Sequence, residues 1–367
     1  MKKIAILTYQ NALNFGAAYQ CKALYQFVRS ENKYQVVVVD YVNNKFTDKT
    51  KLSTVFFDKQ YRLRDRTKKL IISIVSKRIQ KRFASFYKDV MFSDRYNENN
   101  FSQIDKEFDY FIIGSDQLWN FDLNDGDMNY LLPFVDKDRI VTYATSIGKE
   151  EVADSYVSTF TNNIKDINYL SVRENEAKVY INSLLPDKSI DVVLDPVFLL
   201  DSNQWKKYII KNKTKCGASF YLFHKNFYST ALSLSKSLDI NHRHITKICG
   251  GLSIKDMLNP HISTGTFFGP IEVLNAIYFS EIVFTDSFHC VAISIIYHID
   301  FFVFLTGDRG RDSRIIQLLN IVGLNDRIIN DGKIIKSPID WSIVDNNLHA
   351  MKQFSQTYLR NAINSFG

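Results

Sequence analysis

The chain contains little cysteine, glycine or proline: 4, 14 and 6 of its 367 residues, respectively. The cysteines are scattered and none forms a CxxC pair, so the sequence signals neither a disulfide framework nor a zinc site. They are Cys21, Cys216, Cys249 and Cys290. No cluster of carboxylates and histidines has metal-ligand spacing. We therefore expect reduced cysteines and no bound metal.

Long apolar runs are also missing. The most apolar stretch, residues 291–305, is interrupted by His298 and Asp300 and is too short to span a bilayer. At the start of the chain, an apolar run over residues 4–7 gives way to polar Thr8 and Gln10, so no signal-peptide core is present. These absences predict a cytoplasmic protein.

The composition that remains is that of a soluble globular protein, with 46% hydrophobic and 23% charged residues, and the length predicts two domains. Short apolar runs alternate with helical patterns in both halves, which favours parallel sheets covered by helices. The runs lie at residues 3–7, 35–39, 110–113, 140–144, 169–172 and 192–194, and again at 218–223, 244–248, 282–284 and 301–304. We predict an α/β fold of two Rossmann-type domains whose parallel sheets face each other across a cleft.

The predicted boundary follows the Asp195-Pro196 stop signal. The N-terminal domain then spans 1–200 and contains a basic helical segment at 59–88. The C-terminal domain spans 201–345, and a last helix at 346–367 is expected to pack back on the N-terminal domain.

Polar residues and glycines collect directly after the predicted strands, where ligands of open α/β sheets bind. The group includes Asn14, Gly16, Ser115, Asp116, Gln117, Ser146, Gly148, Arg173, Glu174, Asp286, Ser287, His289 and the loop 307–311. Together they predict a ligand site.

His289 stands at a predicted helix start, where backbone N–H groups favour an anion and an imidazole can exchange a proton near neutral pH. A capping or packing role is the alternative. Arg173, Arg311 and Arg314 lie at or after strand ends, and arginine suits bidentate binding of carboxylate or phosphate. The alternative for the last two is a solvated loop. Gly269, before another helix, marks an anion site or a simple N-cap.

Residues 115–120 read Ser-Asp-Gln-Leu-Trp-Asn. Asp116 and Gln117 beside Trp119 suit a sugar, because the two polar side chains can hydrogen-bond to sugar hydroxyls and the Trp119 ring can stack on a sugar face. The alternative, with equal support, is that Asp116 caps a helix and Trp119 fills the interdomain core. Neither a GxGxxG nor a GxxxxGK[ST] fingerprint occurs, which disfavours a nicotinamide dinucleotide or a P-loop nucleotide.

Six blocks occur in a fixed order: NFGA from Asn14 with Gln20, IGSDQLWN at 113–120, YATSIG at 143–148, SVRE at 171–174, VLDP at 193–196 and FTDSFH at 284–289. The series resembles the polysaccharide pyruvyl transferase family over about residues 4–323, and the GSDQLWN and TDSFH blocks are the specific ones. The resemblance implies a GT-B-like fold. It also implies transfer of an enolpyruvyl unit from phosphoenolpyruvate, a co-substrate and not a bound cofactor, to a saccharide. The product is a pyruvate ketal on a cell-surface polysaccharide.

The chemistry of this reaction suggests roles for the candidate residues. His289 would exchange a proton with the donor carbon or a sugar hydroxyl, and Asp116 would orient the acceptor. Donor binding is expected from Arg173, Arg314, Arg311, Ser287 and Gly269. Acceptor binding is expected from Asn14, Gly16, Ser115, Gln117 and Trp119.

One position departs from the family. Other branches carry an arginine two residues before the histidine, where this chain has Ser287, so either the arginines at 309–314 supply that charge or the donor differs. Two alternatives stay open. One is a GT-B glycosyltransferase with a nucleotide-sugar donor, and the other is a non-catalytic saccharide-binding protein of the same fold.

The positive charge of the chain is concentrated in one segment. Residues 59–88 contain eleven Lys and Arg and one acid, Asp65, a net charge of +10 against +7 for the whole chain, so the other residues carry −3. Apolar residues at roughly helical spacing accompany the charge, which predicts a docked helix with a solvated basic face. A sharper hypothesis is peripheral contact with anionic lipid or a lipid-linked acceptor at the inner membrane surface. Nucleic acid is not expected, because no reading motif accompanies the charge.

Overall fold

The computed structural model describes residues 1–43, 66–210, 217–238, 244–249, 261–265, 267–335 and 337–366. For residues 66–75 it describes the backbone alone. The chain divides into two compact units. Unit 1 comprises Met1–Lys49, Asp89–Leu200 and Leu348–Gly367, and unit 2 comprises Thr50–Lys88 and Asp201–Asn347.

The strands, in chain order, are β1 Lys3–Leu7, β2 Gln35–Val42, β3 Phe92–Asn97, β4 Tyr110–Asp116, β5 Ile140–Thr145, β6 Ser171–Val172, β7 Asp191–Val192, β8 Ala218–Tyr221, β9 Ile245–Lys247, β10 Ile262–Thr264, β11 Ile282–Thr285 and β12 Asp300–Val303. The α-helices are α1 Phe15–Ser30, α2 Arg66–Phe86, α3 Ile104–Glu107, α4 Asp154–Ile164, α5 Asn175–Leu184, α6 Ser202–Lys206, α7 Phe227–Ser237, α8 Pro270–Tyr278, α9 Phe288–Tyr297, α10 Arg309–Val322 and α11 Trp341–Asn364.

Each unit contains one parallel sheet. Over the described residues, the sheet of unit 1 has seven strands in the order β3-β2-β1-β4-β5-β6-β7, and that of unit 2 has five in the order β10-β9-β8-β11-β12. The ladders are parallel, as in the pairing of Ile6 with Val38 and of Val283 with Phe301. The predicted α/β class with two Rossmann-type parallel sheets is confirmed.

The central strands are mostly apolar along their length because helices cover both faces of a parallel sheet, so that side chains on either face are buried. In β1 every residue after Lys3 is buried, and the four residues of β11 are all buried. Helix α1 begins where the Asn14 side chain accepts the N–H of Ala17 at 3.1 Å, which caps the first turn. The polar residues after β1 therefore lead directly into a helix that is buried along most of its length.

The last helix, α11, supplies part of unit 1. The Tyr358 hydroxyl donates to the Thr142 carbonyl of β5 at 3.0 Å, and Ser355 Oγ accepts the N–H of Leu194 at 2.9 Å. After the helix, the ring of Phe366 stacks on Tyr110 of β4 with centroids 4.2 Å apart.

The basic segment was assigned to the N-terminal domain from the sequence, and the structure corrects this assignment. Its described part, α2 and the residues up to Lys88, belongs to unit 2. Arg82 donates to the Phe267 carbonyl and forms an ion pair with Glu272 of α8 at 3.1 Å, and Arg78 lies over the Phe267 ring. These contacts dock the helix on unit 2. The charged side chains between residues 59 and 75 lie outside the described part of the chain.

None of the helices in the described part of the chain is long and apolar enough to cross a membrane.

Candidate functional site

Each sheet has a point at which the strand order reverses, and the two strands on either side of it leave room for a ligand at their carboxyl ends. In unit 1 the reversal lies between β1 and β4. In unit 2 it lies between β8 and β11. The candidate residues are therefore described unit by unit, starting from these two crevices.

In unit 1, the protein's own polar groups bridge the crevice. The hydroxyl of Thr8, just after β1, donates to the Ser115 carbonyl at 3.2 Å, and the Tyr9 hydroxyl donates to the Gln117 carbonyl at 3.1 Å. Asn14 and Gly16 follow at the start of α1, where Asn14 is the N-cap and Gly16 is buried. Four of the five predicted acceptor residues, namely Asn14, Gly16, Ser115 and Gln117, thus lie at the carboxyl edge of this sheet.

The segment after β4 makes a tight polar loop and not the start of a helix. Asp116 has a positive φ of 79°, and its Oδ1 accepts the N–H of Gln117 at 2.9 Å. The Gln117 amide oxygen accepts from Asn120 Nδ2 at 3.0 Å, and Ser115 Oγ donates to the Ala144 carbonyl. The helix-capping interpretation of Asp116 therefore does not match the structure, whereas its position at a strand end does.

Trp119 belongs to the core of unit 1. Its side chain is completely buried, and its ring meets Phe160 edge-on with centroids 5.2 Å apart. A sugar cannot stack on a ring that is enclosed in this way. Of the two interpretations of Trp119, the structure favours core packing, and we remove it from the acceptor-binding candidates.

Arg173, after β6, lies in a buried charge network that joins the ends of three neighbouring strands. Its Nε donates to Glu174 Oε1 at 3.1 Å and its Nη1 to Asp195 Oδ2 at 2.7 Å. Ser146, after β5, donates to the same Glu174 oxygen at 2.7 Å, while Asp195 Oδ1 accepts the N–H of Val197 at 3.0 Å. Burial alone would lower the pKa of Arg173, but the two carboxylates outweigh it and raise that pKa. Donor binding by Arg173 stays a prediction, and the contacts described are with the protein's own carboxylates.

In unit 2, a histidine and an aspartate meet across the crevice between β8 and β11. His224 follows β8, Asp286 follows β11, and Nδ1 of His224 lies 2.8 Å from Asp286 Oδ2. The Asp286 carboxylate also accepts the N–H groups of Phe223 and His224, at 2.9 and 3.0 Å. The Asp286 side chain is fully buried, whereas 41% of the His224 side chain is exposed.

His289 lies three residues beyond Asp286, at the second position of α9. It is half-buried, and its ring meets Phe288 edge-on. Ser287 is the N-cap residue and donates its N–H to Thr285 Oγ1 at 3.0 Å. The TDSFH block thus places its aspartate and its histidine at one edge of the sheet of unit 2.

Two cysteines of unit 2 are buried thiols. Burial raises the pKa of Cys290, in α9, to about 12, and it also raises the pKa of Cys249. A thiolate is the reactive form of cysteine, so neither group is a nucleophile near neutral pH.

The arginine loop after β12 is organised by two aspartates. Buried Asp312 accepts the N–H groups of Thr306 and Gly307 at 3.0 and 2.7 Å, and Asp308 accepts the N–H of Gly310 at 3.0 Å. These carboxylates occupy backbone N–H groups that an external anion would otherwise use. Arg311 lies 3.7 Å from Asp308, and Arg314 Nε donates to the Gly310 carbonyl. Donor binding by Arg311 and Arg314 stays a prediction, and it rests on their side chains and not on the helix terminus.

Gly269 has the N-capping role that the sequence left open. Its N–H donates to Glu272 Oε2 at 2.9 Å, so the carboxylate of the first turn of α8 already occupies that position. A Cβ at Gly269 would collide with Arg82 of α2. The glycine therefore permits helix packing, and we do not keep it among the donor-binding candidates.

Sequence reasoning missed His224. The predicted strand 218–223 ends directly before it, so the rule that selected Asp286 also pointed to this residue. The pairing with Asp286 was not visible, because His224 and Asp286 are 62 residues apart in the chain and follow different strands.

Comparisons with known proteins bear on the same regions. The family model "Polysaccharide pyruvyl transferase" matches residues 14–308, which include the GSDQLWN and TDSFH blocks. No curated protein is similar enough to the chain to count as a match.

Solved structures resemble the chain over nearly its whole length at low sequence identity. A putative UDP-N-acetylglucosamine 2-epimerase from Listeria monocytogenes has 11% identity and a TM-score of 0.49, with 96% of this chain and 97% of that chain covered. UDP-GlcNAc 2-epimerase from Neisseria meningitidis has 11% identity and a TM-score of 0.47, with coverage of 100% and 96%. The glycotransferase of kitacinnamycin has 10% identity and a TM-score of 0.40, with coverage of 100% and 96%.

The family match covers more than half of the chain and contains the strand ends at which His289, Asp286 and Asp116 lie. The chain belongs to the polysaccharide pyruvyl transferase family.

Proposed function

We propose that the protein transfers a pyruvyl unit from phosphoenolpyruvate to a saccharide and closes a pyruvate ketal on two of its hydroxyls. The observation that carries the proposal is the family match over residues 14–308. It is supported by two imidazoles, His224 and His289, and by the Asp286 carboxylate at the carboxyl edge of the sheet of unit 2.

The reaction combines proton transfers with the formation and cleavage of carbon–oxygen bonds. The methylene carbon of phosphoenolpyruvate gains a proton and becomes a methyl group, while a sugar hydroxyl adds to the neighbouring carbon and loses its proton. The carbon–oxygen bond to phosphate then breaks, and phosphate leaves with its electron pair. The second hydroxyl adds to the same carbon and loses its proton. Two hydroxyl protons are released, one resides on the methyl group, and the other leaves with hydrogen phosphate.

His289 is our first candidate for one of these proton transfers. An imidazole exchanges protons near neutral pH, and a positioned acid or base contributes about 10²–10⁴-fold in rate. Arg311 and Arg314 are candidate partners for the phosphate and carboxylate of the donor, because arginine binds such groups through two parallel hydrogen bonds. Ser287 carries no charge, so any charge that an arginine would supply there must come from elsewhere.

At the sheet edge of unit 1, we propose acceptor contacts from Asn14, Gly16, Ser115 and Gln117, with Asp116 orienting a hydroxyl. A carboxylate accepts a hydroxyl hydrogen bond more strongly than a neutral group does. The saccharide would be lipid-linked, and basic residues of the segment 59–88 would contact anionic headgroups at the cytoplasmic face of the membrane. The reaction would serve cell-surface polysaccharide biosynthesis.

The test is incubation of the full chain with phosphoenolpyruvate and a panel of saccharide acceptors, with phosphate release and product mass as the readouts. We expect equal amounts of phosphate and of a product heavier than the acceptor by one pyruvate less one water. His289→Ala should reduce turnover by about 10²–10⁴-fold. Near-normal turnover of that variant would contradict the assignment of His289.

Thermal-shift measurements discriminate between donors, because a ligand that binds the folded state raises the unfolding temperature. We expect a shift with phosphoenolpyruvate and none with UDP-sugars. A shift with UDP-sugars alone would indicate a glycosyltransferase, and a shift with the saccharide alone would indicate a binding protein. Either result would refute the proposed donor.

A further inference from the structure

We propose that His224, held by Asp286, is a second catalytic proton-transfer residue of unit 2, acting through its Nε2 atom. The inference rests on the proposed function and extends it. The residue follows β8 at the edge of the sheet, and its partner follows the adjacent strand β11.

The contacts of His224 fix the orientation of its ring. Asp286 Oδ2 lies 2.8 Å from Nδ1 and also accepts the backbone N–H of His224 at 3.0 Å. Because a carboxylate accepts and does not donate, Nδ1 carries the proton. In the neutral ring, Nε2 is then the nitrogen with a lone pair, and it can take a proton from a hydroxyl.

The carboxylate that holds this imidazole is buried, whereas the imidazole itself is partly exposed. Asp286 is fully buried and is held by the N–H of Phe223 in addition to His224, while 41% of the His224 side chain is exposed. A buried carboxylate that holds an accessible imidazole is the arrangement that a base needs, because it stabilises the charged ring that forms when the proton is taken up. The Phe227 ring lies beside the imidazole at a tilt, with ring centroids 5.8 Å apart.

A second histidine–aspartate pair in the same unit makes a similar contact but lacks the other features of the His224 pair. His298 and Asp345 lie 3.0 Å apart, and 42% of the His298 side chain is exposed, nearly as for His224. In that pair, however, Asp345 is itself exposed and the contact uses Nε2. His298 precedes β12, at the amino end of the sheet, and its ring stacks on Trp341. The pair therefore has neither the buried anchor nor the position of His224.

Ketal formation moves several protons, and two proton carriers can share them. Two hydroxyls lose protons, the methylene carbon gains one, and phosphate leaves with the other. An imidazole that has delivered its proton to carbon can accept one hydroxyl proton in return, which leaves the other hydroxyl proton for a second carrier. His224 follows β8, and Asp286 and His289 follow the neighbouring strand β11, so two carriers are available at one sheet edge. We assign proton uptake from a sugar hydroxyl to His224 and proton delivery to the methylene carbon to His289.

The experiment compares His224→Gln with His298→Gln, the matched control. Turnover is measured with phosphoenolpyruvate and an acceptor that the wild type uses. His224→Gln should lower kcat by about 10²–10⁴-fold with little change in KM for the donor, and imidazole added to His224→Ala should restore part of the activity. His298→Gln should keep wild-type kcat. Wild-type kcat in His224→Gln would overturn the assignment, as would an equal loss in both variants.

A measurement that does not require turnover separates this inference from the proposed function. The ¹⁵N signals of the His224 ring should show a protonated Nδ1 and an acceptor Nε2, and the Nε2 signal should move when an acceptor saccharide is added. If the wild type releases no phosphate from phosphoenolpyruvate but the Nε2 signal moves, the proposed donor is refuted and the His224 site stands. A protonated Nε2 with an unprotonated Nδ1, or a signal that no saccharide moves, overturns the inference.

Discussion

Replacing Arg173 by methionine should destabilise unit 1 severely, whatever it does to catalysis. The variant keeps much of the side-chain volume but removes the charge that faces Glu174 and Asp195. All three side chains are buried, with exposed fractions of 3%, 7% and 0%. Removing one partner of a buried ion pair costs about 3–5 kcal/mol, because a carboxylate is left in a medium that solvates it poorly.

Urea denaturation followed by far-UV circular dichroism measures the effect, with the free energy of unfolding extrapolated to water. The matched control is Arg95→Met, which removes an ion pair with Asp40 at 2.9 Å. The Arg95 side chain is 72% exposed, and an exposed pair contributes about 0–1 kcal/mol. Neutralising the remaining partners, by adding Glu174→Gln and Asp195→Asn to the Arg173 variant, should recover part of the loss.

A loss below about 1 kcal/mol in Arg173→Met would refute the reasoning from burial. If stability were kept while the apparent affinity for phosphoenolpyruvate fell, Arg173 would be the donor-binding residue that the sequence predicted. The two roles are thus separated by one variant and two measurements.

Three further changes have defined outcomes. Lys22 and half-exposed Asp89 form an ion pair whose hydrogen bond and charge lower the pKa of Asp89 below its ordinary 3.8, although burial alone would raise it. The stability this contributes is present above the unfolded pKa and is lost as pH falls through the folded pKa. The unfolding temperature should therefore fall more steeply below the ordinary pKa of 3.8 in the wild type than in Asp89→Asn, and identical slopes would contradict this. Gly148→Ala should lower the unfolding temperature by an amount equivalent to about 1–3 kcal/mol, since φ is +67° and the new Cβ would collide with Gln117; an unchanged melting curve would count against it. Trp119→Ala should cost about 3–5 kcal/mol in urea denaturation, because the ring is fully buried, while acceptor affinity in the folded variant is kept; selective loss of acceptor binding would restore the stacking interpretation.

The sequence indicated the central strands of both sheets because each is a short apolar run buried on two faces. The edge strands β3 and β10 were missed for a physical reason. β3 reads Phe-Ser-Asp-Arg-Tyr-Asn with only Tyr96 buried, and an edge strand that faces solvent needs no apolar run. The assignment of the basic segment failed because chain order places it within the N-terminal half, whereas Arg82 and its neighbours contact α8.

The candidate site was predictable to the extent that it depends on strand ends. Asp116, Asp286 and His289 lie where the strand-end rule places them. The rule could not indicate which charged side chains pair with each other in the folded protein. Arg173 had the sequence features of an anion-binding residue. Its pairing with the buried carboxylate of Asp195 depends on the ends of β6 and β7 lying next to each other in the sheet. Burial and pairing are tertiary properties, and local sequence does not contain them.

Unit 1 is assembled from three separate stretches of chain, and the last of them, Leu348–Gly367, follows both stretches of unit 2. On the ribosome, the strands of its sheet are made early, yet the groups that hydrogen-bond to Thr142 and Leu194 lie on α11 and are made after unit 2. Unit 2, with its two stretches, is complete before then. The order of synthesis is thus the reverse of what the position of the strands implies, with the second unit finished before the first. A short C-terminal truncation should therefore damage the N-terminal sheet, and a nascent chain arrested before residue 348 should display a protected unit 2 beside a protease-sensitive unit 1.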